Sequence, residues 1–459
     1  MVIRKEKIFM TENKMGVAPV NQLLVSMSVP MMISMLVQAL YNIVDSAFVA
    51  RLNENALTAV SLAFPWQNFM IAVGVGTGIG VNAVLSRALG QKNPKLASSI
   101  ADHGLFLALT STIVFMITGT AITRPFFEMQ TNVSQIIDYG TSYMYIVSLC
   151  SIGLFVTTMT EKLLSSTGKT SLTMINQLTG AIINIILDPI FIFGFGPIPS
   201  FGVAGAAIAT VIGQIMAACA GLYLNFAHNK EIAISFRGFK PQAAIIRHIY
   251  GIGLPSIIMQ SIGSILVFFL NQILIAFSTT ATAVLGIYFK LQSFVFMPIF
   301  GLNNGLVPIV AYNYGARKKE RIMKTFKLGV LYAVGIMAAG CLVFHLFPGF
   351  LLGLFDADEN MLAIGIPALR IISLCFIFAG FGIICSSFFQ ALGHGFLSMA
   401  ISIVRQIAAL LPLAWLFSRT GELVNIWWAF PLAEGISVIL SCICLVWIVR
   451  HQIEPLGQQ

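Results

Sequence analysis

Apolar residues in this chain come in long unbroken runs, not in the alternation of a half-buried sheet. Twelve runs stand out, at 23–50, 57–87, 100–122, 141–167, 170–194, 201–228, 246–278, 281–314, 325–347, 366–392, 396–417 and 424–450. Each reaches the roughly 20 residues that a helix needs to cross a hydrocarbon core of about 30 Å. Inside such a core every backbone N–H and C=O must be bonded within its own segment, so runs of this kind are helices. Several exceed a perpendicular crossing, which calls for tilted or kinked helices. Pro30 and Pro255, in the first and seventh runs, each remove a backbone donor and are the expected kink points. The expected fold is an all-α polytopic membrane protein with twelve transmembrane helices.

The runs repeat as a set of six. Sliding the chain by 225 residues without a gap superposes Pro30 on Pro255, Gln67 on Gln292, Phe69 on Phe294, Gly76 on Gly301, Gly80 on Gly305, Gly90 on Gly315 and Gly168 on Gly393. Apolar sequences often match by chance. Proline and glycine punctuate helices, however, and their recurrence at one offset marks an internal repeat. An offset of six spans keeps each helix's direction, so two six-helix lobes related by a pseudo-twofold axis along the membrane normal are expected. Their bounds are residues 1–228 and 246–459, joined by a polar linker at 229–245 that contains Pro241.

Composition agrees: 58% of residues are hydrophobic, 9% are charged, and the mean hydropathy is +0.90. A soluble domain carries roughly a quarter charged residues. The net charge of +9 lies in the gaps between apolar runs, without the basic and aromatic surface that nucleic acid requires. One set of connections holds Arg4, Lys5, Lys7 and Lys14, then Arg87, Lys92 and Lys95, then Lys162 and Lys169, then Lys230, Arg237, Lys240 and Arg247. Its densest group is Arg317, Lys318, Lys319, Arg321, Lys324 and Lys327. The opposite set holds Arg51, Arg124, Arg370 and Arg419, beside the acids Glu128, Asp138, Asp356, Asp358 and Glu359. The basic side reads as cytoplasmic, which puts both termini there. The first 22 residues lack a signal peptide's apolar core, so the first run is expected to stay as a span. Seven cysteines all fall inside apolar runs without C-x-x-C spacing and read as packing residues.

A carboxylate inside an apolar span costs about 2.5–3.5 kcal/mol on insertion scales, so each one asks for a reason. Four occur: Asp45, Glu161, Asp188 and Glu434. Asn184 precedes Asp188 by one helical turn, so both side chains share a face. Asp45 and Asp188 fall at the same depth in spans one and five, and Thr210 in span six is level with them. Two carboxylates, an amide and a hydroxyl supply several oxygen ligands for Na⁺. Equally, two close carboxylates cannot both stay ionised, and one of them can hold a proton. Helix-to-helix hydrogen bonding is the plainer alternative, with Pro189 marking a bend.

A resemblance adds to this reading. The stretch Asn184 to Phe195, with its Leu-Asp-Pro at 187–189, resembles the fifth-helix signature of the multidrug and toxic compound extrusion (MATE) family. So do Asn42 to Val49 downstream of Pro30, Gly205 to Thr210, and Val307 to Asn313, the last leading into Asn-Tyr-Gly at 313–315. The similarity runs over essentially the whole chain and leans toward the bacterial drug-exporter branch. It implies a V-shaped pair of lobes in a bacterial cytoplasmic membrane, alternating between outward- and inward-open states. Entry of H⁺ or Na⁺ would drive export of bulky, often cationic organic compounds such as drugs and dyes, with no cofactor and one chain as the working unit. Asp45, Asn184, Asp188 and Thr210 fall on the family's first-lobe cation site, and no metal beyond such a Na⁺ is expected. Other members carry second-lobe carboxylates in helices seven and ten. Here the seventh run offers Gln260, Asn271 and Gln272, and the tenth Ser386, Ser387 and Gln390, so a second site of that type is not expected.

Glu161, near the cytoplasmic end of span four, reads either as a cleft charge attracting cationic compounds or as an interfacial acid paired with Lys162 or Lys169. Tyr41, one turn before Asp45, is the aromatic assigned to the substrate cleft. Arg405 and Glu434, deep in spans eleven and twelve, explain one another best as an ion pair fixing the second lobe. Gly74, Gly76, Gly78 and Gly80 lack a phosphate loop's Lys and Ser/Thr and read as helix packing. No Walker motif, zinc spacing or nucleophile–base pair appears, so neither an ATP-driven pump nor an enzyme is expected. The alternative transport class is a flippase for a lipid-linked saccharide or peptidoglycan precursor, against which the acidic first-lobe site argues. Asp45, Asn184 and Asp188 superpose on Leu270, Ala409 and Leu413 at the repeat offset. Ion coupling is therefore expected from the first half alone.

Overall fold

The helices follow the twelve apolar runs but reach past most of them. The structure, a computed structural model, describes residues 13–457, so Arg4, Lys5 and Lys7 lie outside the described residues. A single turn, α1 (Lys14–Val17), precedes α2 (Val20–Ala50), α3 (Glu54–Gly90) and α4 (Pro94–Glu128). A bent pair follows, α5 (Ser134–Leu149) and α6 (Ile152–Ser166), then α7 (Thr170–Phe193) and α8 (Val203–His228). The second half opens with α9 (Ala243–Ile275), α10 (Thr279–Gly315) and α11 (Lys319–Leu346). After the short α12 (Pro348–Gly353) comes a second bent pair, α13 (Glu359–Ser373) and α14 (Cys375–Ala391). Span eleven is α15 (Gly395–Ile403) running through a π-helical stretch, Val404–Leu410, into α16 (Leu411–Ser418). Span twelve joins α17 (Leu423–Trp427) to α18 (Ala429–Ile448). Among the described residues ten helices can span alone, and the two bent pairs complete the twelve.

The breaks in the spans do not fall at the expected prolines. Pro30 and Pro255 sit inside α2 and α9, which run on as continuous helices. The bends lie between α5 and α6, at 47°, and between α13 and α14, at 44°. At the first, Cys150 leaves helical geometry with φ −100° and ψ 22°, beside the small residues Ser151 and Gly153, which offer the helix little packing to hold it straight. The second lies at Leu374, 224 residues after Cys150 and so within one residue of the repeat offset. Helix ends repeat likewise: Glu54 and Thr279 begin, and Gly90 and Gly315 end, corresponding helices. Asn53 caps α3 by accepting from Ala56 N–H at 2.8 Å, and Ser278 caps α10 by accepting from Ala281 N–H at 3.1 Å. Gly168 and Gly393 turn the chain with φ of +85° and +97°, a conformation a Cβ would oppose.

The repeated glycines are where the halves touch. α2 packs along α10, and α3 along α9. A Cβ on Gly76 would lie 2.8 Å from the Ile257 nitrogen, and one on Gly80 would land on the Ile249 carbonyl. Their partners at the repeat offset, Gly301 and Gly305, meet the backbone of Met32 at 2.5 Å and of Ser28 at 2.9 Å in the same sense. Gly90 presses on Tyr312, and Gly315 on Arg87. Small residues let membrane helices approach until their backbones are in contact, which is the main attraction available without water.

This contact is tightest toward the end that carries both described termini. There Lys162 Nζ donates to Asn304 Oδ1 across the halves at 2.8 Å, and Ser165 Oγ to the Asn304 carbonyl at 3.2 Å. The turn α1 lies across the same end. Asn13 donates to the Thr167 carbonyl at 3.2 Å and to Glu231. Asn313 and Arg321 of the other half donate to the Met15 carbonyl, each at 3.0 Å. Toward the opposite end the outermost hydrogen bond between the halves, among the described residues, is Asn68 to Ser264 at 3.4 Å. Beyond it Phe64, Phe268 and Phe269 are exposed. The connection between the halves runs over residues 229–242, since α9 begins at Ala243, ahead of the expected 246.

Candidate functional site

Three helices of the first half bring polar groups into one buried cluster. α7 presents Asn184 and Asp188 from one face, and α8 presents Thr210 toward them; all three are buried, Asp188 completely. With its amide nitrogen facing the carboxylate, Asn184 donates to Asp188 Oδ2 at 2.9 Å. Its oxygen then accepts from the Thr210 hydroxyl at 3.2 Å and from the Thr210 backbone N–H at 3.1 Å. Asp45, half-buried on α2, places its carboxyl within hydrogen-bonding reach of Asp188. The sequence-derived cation group of Asp45, Asn184, Asp188 and Thr210 is thus one spatial cluster.

Tyr41 lies beside the same cluster, its hydroxyl close to Thr210 and to the two carboxyls. Behind the group Gln67 of α3 donates to the Tyr143 hydroxyl of α5 at 2.9 Å. Sequence reasoning did not single out this second layer. The signal available was a glutamine within the apolar third helix, and Gln67 recurs at the repeat offset as Gln292.

The chemistry of the cluster follows from its imbalance. Among the described residues two carboxyls meet with no basic side chain bonded to either, and Asp45 Oδ1 is buried without a hydrogen-bond partner. A buried acceptor left unpaired costs free energy, and two adjacent carboxylates repel. A proton between the carboxyls, or a small cation held by carboxyl, amide and hydroxyl oxygens, would remove both penalties. The donors are carboxyl, amide and hydroxyl oxygens, which suit a hard cation better than a soft transition metal.

Glu161 of α6 has a different partner from those considered in the sequence. It accepts from Gln177 Nε2 of α7 at 3.0 Å, and neither Lys162 nor Lys169 pairs with it among the described residues. Lys162, although adjacent in sequence, points the other way, into the contact with Asn304. Lys169 donates to the His228 carbonyl at 2.6 Å. Consecutive helical residues face about 100° apart, which is why neighbours in sequence are poor partners here. Thr173, Gln177, Asn184 and Asp188 form a polar face along α7 that joins the Glu161 region to the carboxyl pair.

In the second half Arg405 Nη1 lies 3.3 Å from Glu434 Oε1. Arg405 falls within the π-helical stretch of span eleven, a local widening often found where a side chain must be re-aimed. Leu270, which takes the place of Asp45, is fully buried in this half's apolar core, and Leu413, in place of Asp188, packs against that core. Gln390 Nε2 contacts the Met259 sulfur at 3.8 Å. The second half therefore has no counterpart of the carboxyl pair.

Comparison with known proteins agrees over the whole chain. The MatE family model matches residues 30–190 and 252–416, one stretch in each half. Multidrug export protein MepA of Staphylococcus aureus is 25% identical over 442 residues, 95% of each chain. A solved structure of a MATE in complex with MaL6 superposes with a TM-score of 0.90 at 27% identity, covering 97% of this chain and 99% of its own. A multidrug resistance MATE family transporter of the MOP superfamily, described in an outward-facing conformation, superposes equally well, with a TM-score of 0.90 at 26% identity over 98% of this chain and 99% of its own.

Proposed function

The chain belongs to the MatE family, and on that premise we propose that it is a secondary antiporter exporting bulky, often cationic organic compounds in exchange for H⁺ or Na⁺. The observation that carries this reading is the buried Asp45–Asp188 carboxyl pair, with no basic partner and an unpaired oxygen. Such a pair is stable only when it holds a proton or a cation, which is what a coupling site has to require.

The end with the clustered Lys and Arg residues is cytoplasmic in this reading, and the chain sits in a bacterial cytoplasmic membrane. The halves are then closed on the cytoplasmic side and parted outward. α2 links the two regions. Its Ser28 donates to the Leu302 carbonyl of the other half at 3.4 Å, and its Asp45 carries half of the carboxyl pair. Those residues are 17 apart, about 25 Å along a helix. Neutralising the pair lets α2 and α7 draw together, and a shift of α2 is felt where it packs on α10. Loading from outside is thereby coupled to release of the cytoplasmic contact, and compounds are taken up from inside in the alternate state. Exposed Phe64 and Phe268, one turn beyond the Asn68–Ser264 contact, supply a forgiving aromatic surface between the halves, and Glu161 supplies negative charge for cationic compounds.

Asp188→Asn is expected to abolish efflux of ethidium from cells at normal expression. Wild-type efflux by that variant would sink the proposal. Imposing pH and Na⁺ gradients separately on proteoliposomes then decides the ion: drug movement should follow one gradient and ignore the other.

A further inference from the structure

The two halves treat one face of corresponding helices differently. In the first half the linker between the halves lies over the start of α4. Ala233 N–H donates to Ser98 Oγ at 3.0 Å, Ser235 N–H to Asp102 Oδ1 at 2.9 Å, and Gln242 N–H to His103 Nε2 at 2.8 Å. Phe239 closes the contact against His103 and Phe106, with ring centroids 4.9 and 5.4 Å away. This interfacial stretch of helix is thus both hydrogen-bonded and covered.

At the repeat offset the corresponding positions are Met323, Lys327, Leu328 and Leu331 on α11. The stretch matching the linker supplies only the turn Glu454–Gly457, which touches α11, and no further linker lies over this face among the described residues. Instead there is an open groove of about 460 Å³ lined by Lys319, Glu320, Met323, Lys324, Lys327 and Leu328. Pro94, Ser99 and Asp102 of the first half have become Lys319, Lys324 and Lys327. Three ammonium groups face one carboxylate. The exposed face continues into the apolar part of the helix through Leu331, 64% exposed, past Gly335, where a Cβ would meet nothing within 4 Å, to Leu342, 56% exposed.

We propose that this groove binds an anionic phospholipid, with the headgroup phosphate among Lys319, Lys324 and Lys327 and an acyl chain along Leu331, Gly335 and Leu342. The order of the features matches the ligand. Charge lies at the interface, a Met323 and Leu328 floor sits beneath it, and a smooth apolar track runs toward the bilayer centre. Basic residues beside a spanning helix draw anionic lipid electrostatically. A soluble acidic partner would satisfy the lysines but leave the track unused, and a zwitterionic lipid would use the track but gain little from three lysines.

The test is a lipid titration of the purified, delipidated full chain, read by native mass spectrometry with phosphatidylglycerol and phosphatidylcholine as probes. The combined variant Lys319→Gln, Lys324→Gln, Lys327→Gln should hold phosphatidylglycerol about tenfold or more weakly, with phosphatidylcholine unchanged. Leu331→Glu, which leaves the lysines in place, should also weaken it. Lys92→Gln with Lys95→Gln, at the same end of the first half, should not. Equal retention by wild type and the triple variant would overturn the proposal, as would an equal loss in the Lys92 and Lys95 control. Displacement of the lipid by inorganic phosphate or polyglutamate at comparable concentration would also count against it, by assigning the groove to a soluble anion.

Discussion

Asp45→Asn isolates the physics of the buried carboxyl pair. In the wild type two carboxyls meet at hydrogen-bonding distance. Two unit charges roughly 3 Å apart at an effective dielectric constant of about 20 repel by about 5 kcal/mol. A proton or Na⁺ relieves this, so the penalty shows only when both are scarce. At pH 9 in choline chloride the protein must either bear the repulsion or draw a proton from dilute solution, which leaves about 1–3 kcal/mol of strain visible. An asparagine at position 45 carries no charge and can donate to Asp188. Asp45→Asn should therefore be more stable than wild type at pH 9 without Na⁺, by about 1–3 °C in apparent melting temperature for a chain of this length. The advantage should vanish at pH 5, or in saturating Na⁺ if Na⁺ is the coupled ion. Transport should be lost, so the variant trades function for stability. The assay is intrinsic-fluorescence melting of purified protein across pH and Na⁺, paired with efflux. The reasoning is refuted if Asp45→Asn melts below wild type at pH 9 and still gains as much stability from protons or Na⁺.

Three further outcomes follow from other parts of the molecule. Arg405→Met strips Glu434 of its partner and should cost about 1–3 kcal/mol, below the roughly 3–5 of a fully buried pair because the arginine side chain is 27% exposed; Arg405→Met with Glu434→Leu should recover most of it in a thermal melt. Gly80→Ala puts a Cβ on the Ile249 carbonyl of the other half, which backbone cannot avoid without separating the helices. That overpacking should cost about 1–3 kcal/mol in the closed-end state, seen as faster maleimide labelling of a Ser28→Cys reporter in a background free of native cysteines. Burial raises the carboxyl of Glu231, in the linker, above its ordinary value of 4.5, with Lys169, Asn13 and Lys14 opposing the shift. The folded state therefore holds this proton more tightly than the unfolded one. The contribution of Glu231 is most favourable below about pH 4.5 and is lost as pH rises through the raised value. Glu231→Gln should flatten that part of the pH–stability curve, and an unchanged slope would contradict the assignment.

The chain's linear pattern determined the number of spans, the two-fold repeat and most of the buried polar cluster around Asp188. These are local or periodic properties: a run's length fixes whether it crosses, and residues at i and i+4 on a helix share a face, as Asn184 and Asp188 do. The intramembrane cost of a charge marked Asp45 and Asp188 before any geometry was known. Other features depended on how whole helices rotate and pack. The bends at Cys150 and Leu374 carry no proline, so no local breaker announced them. Glu161 took Gln177, and Lys162 crossed to Asn304, because side-chain partners are set by the facing helix and not by the neighbouring residue. The repeat located the paired glycines, but only the tertiary structure made them the contact between the halves. Likewise it showed that the linker covers α4 while the matching face of α11 stays open. Sequence symmetry gives two equal halves, and packing against a single linker makes them unequal.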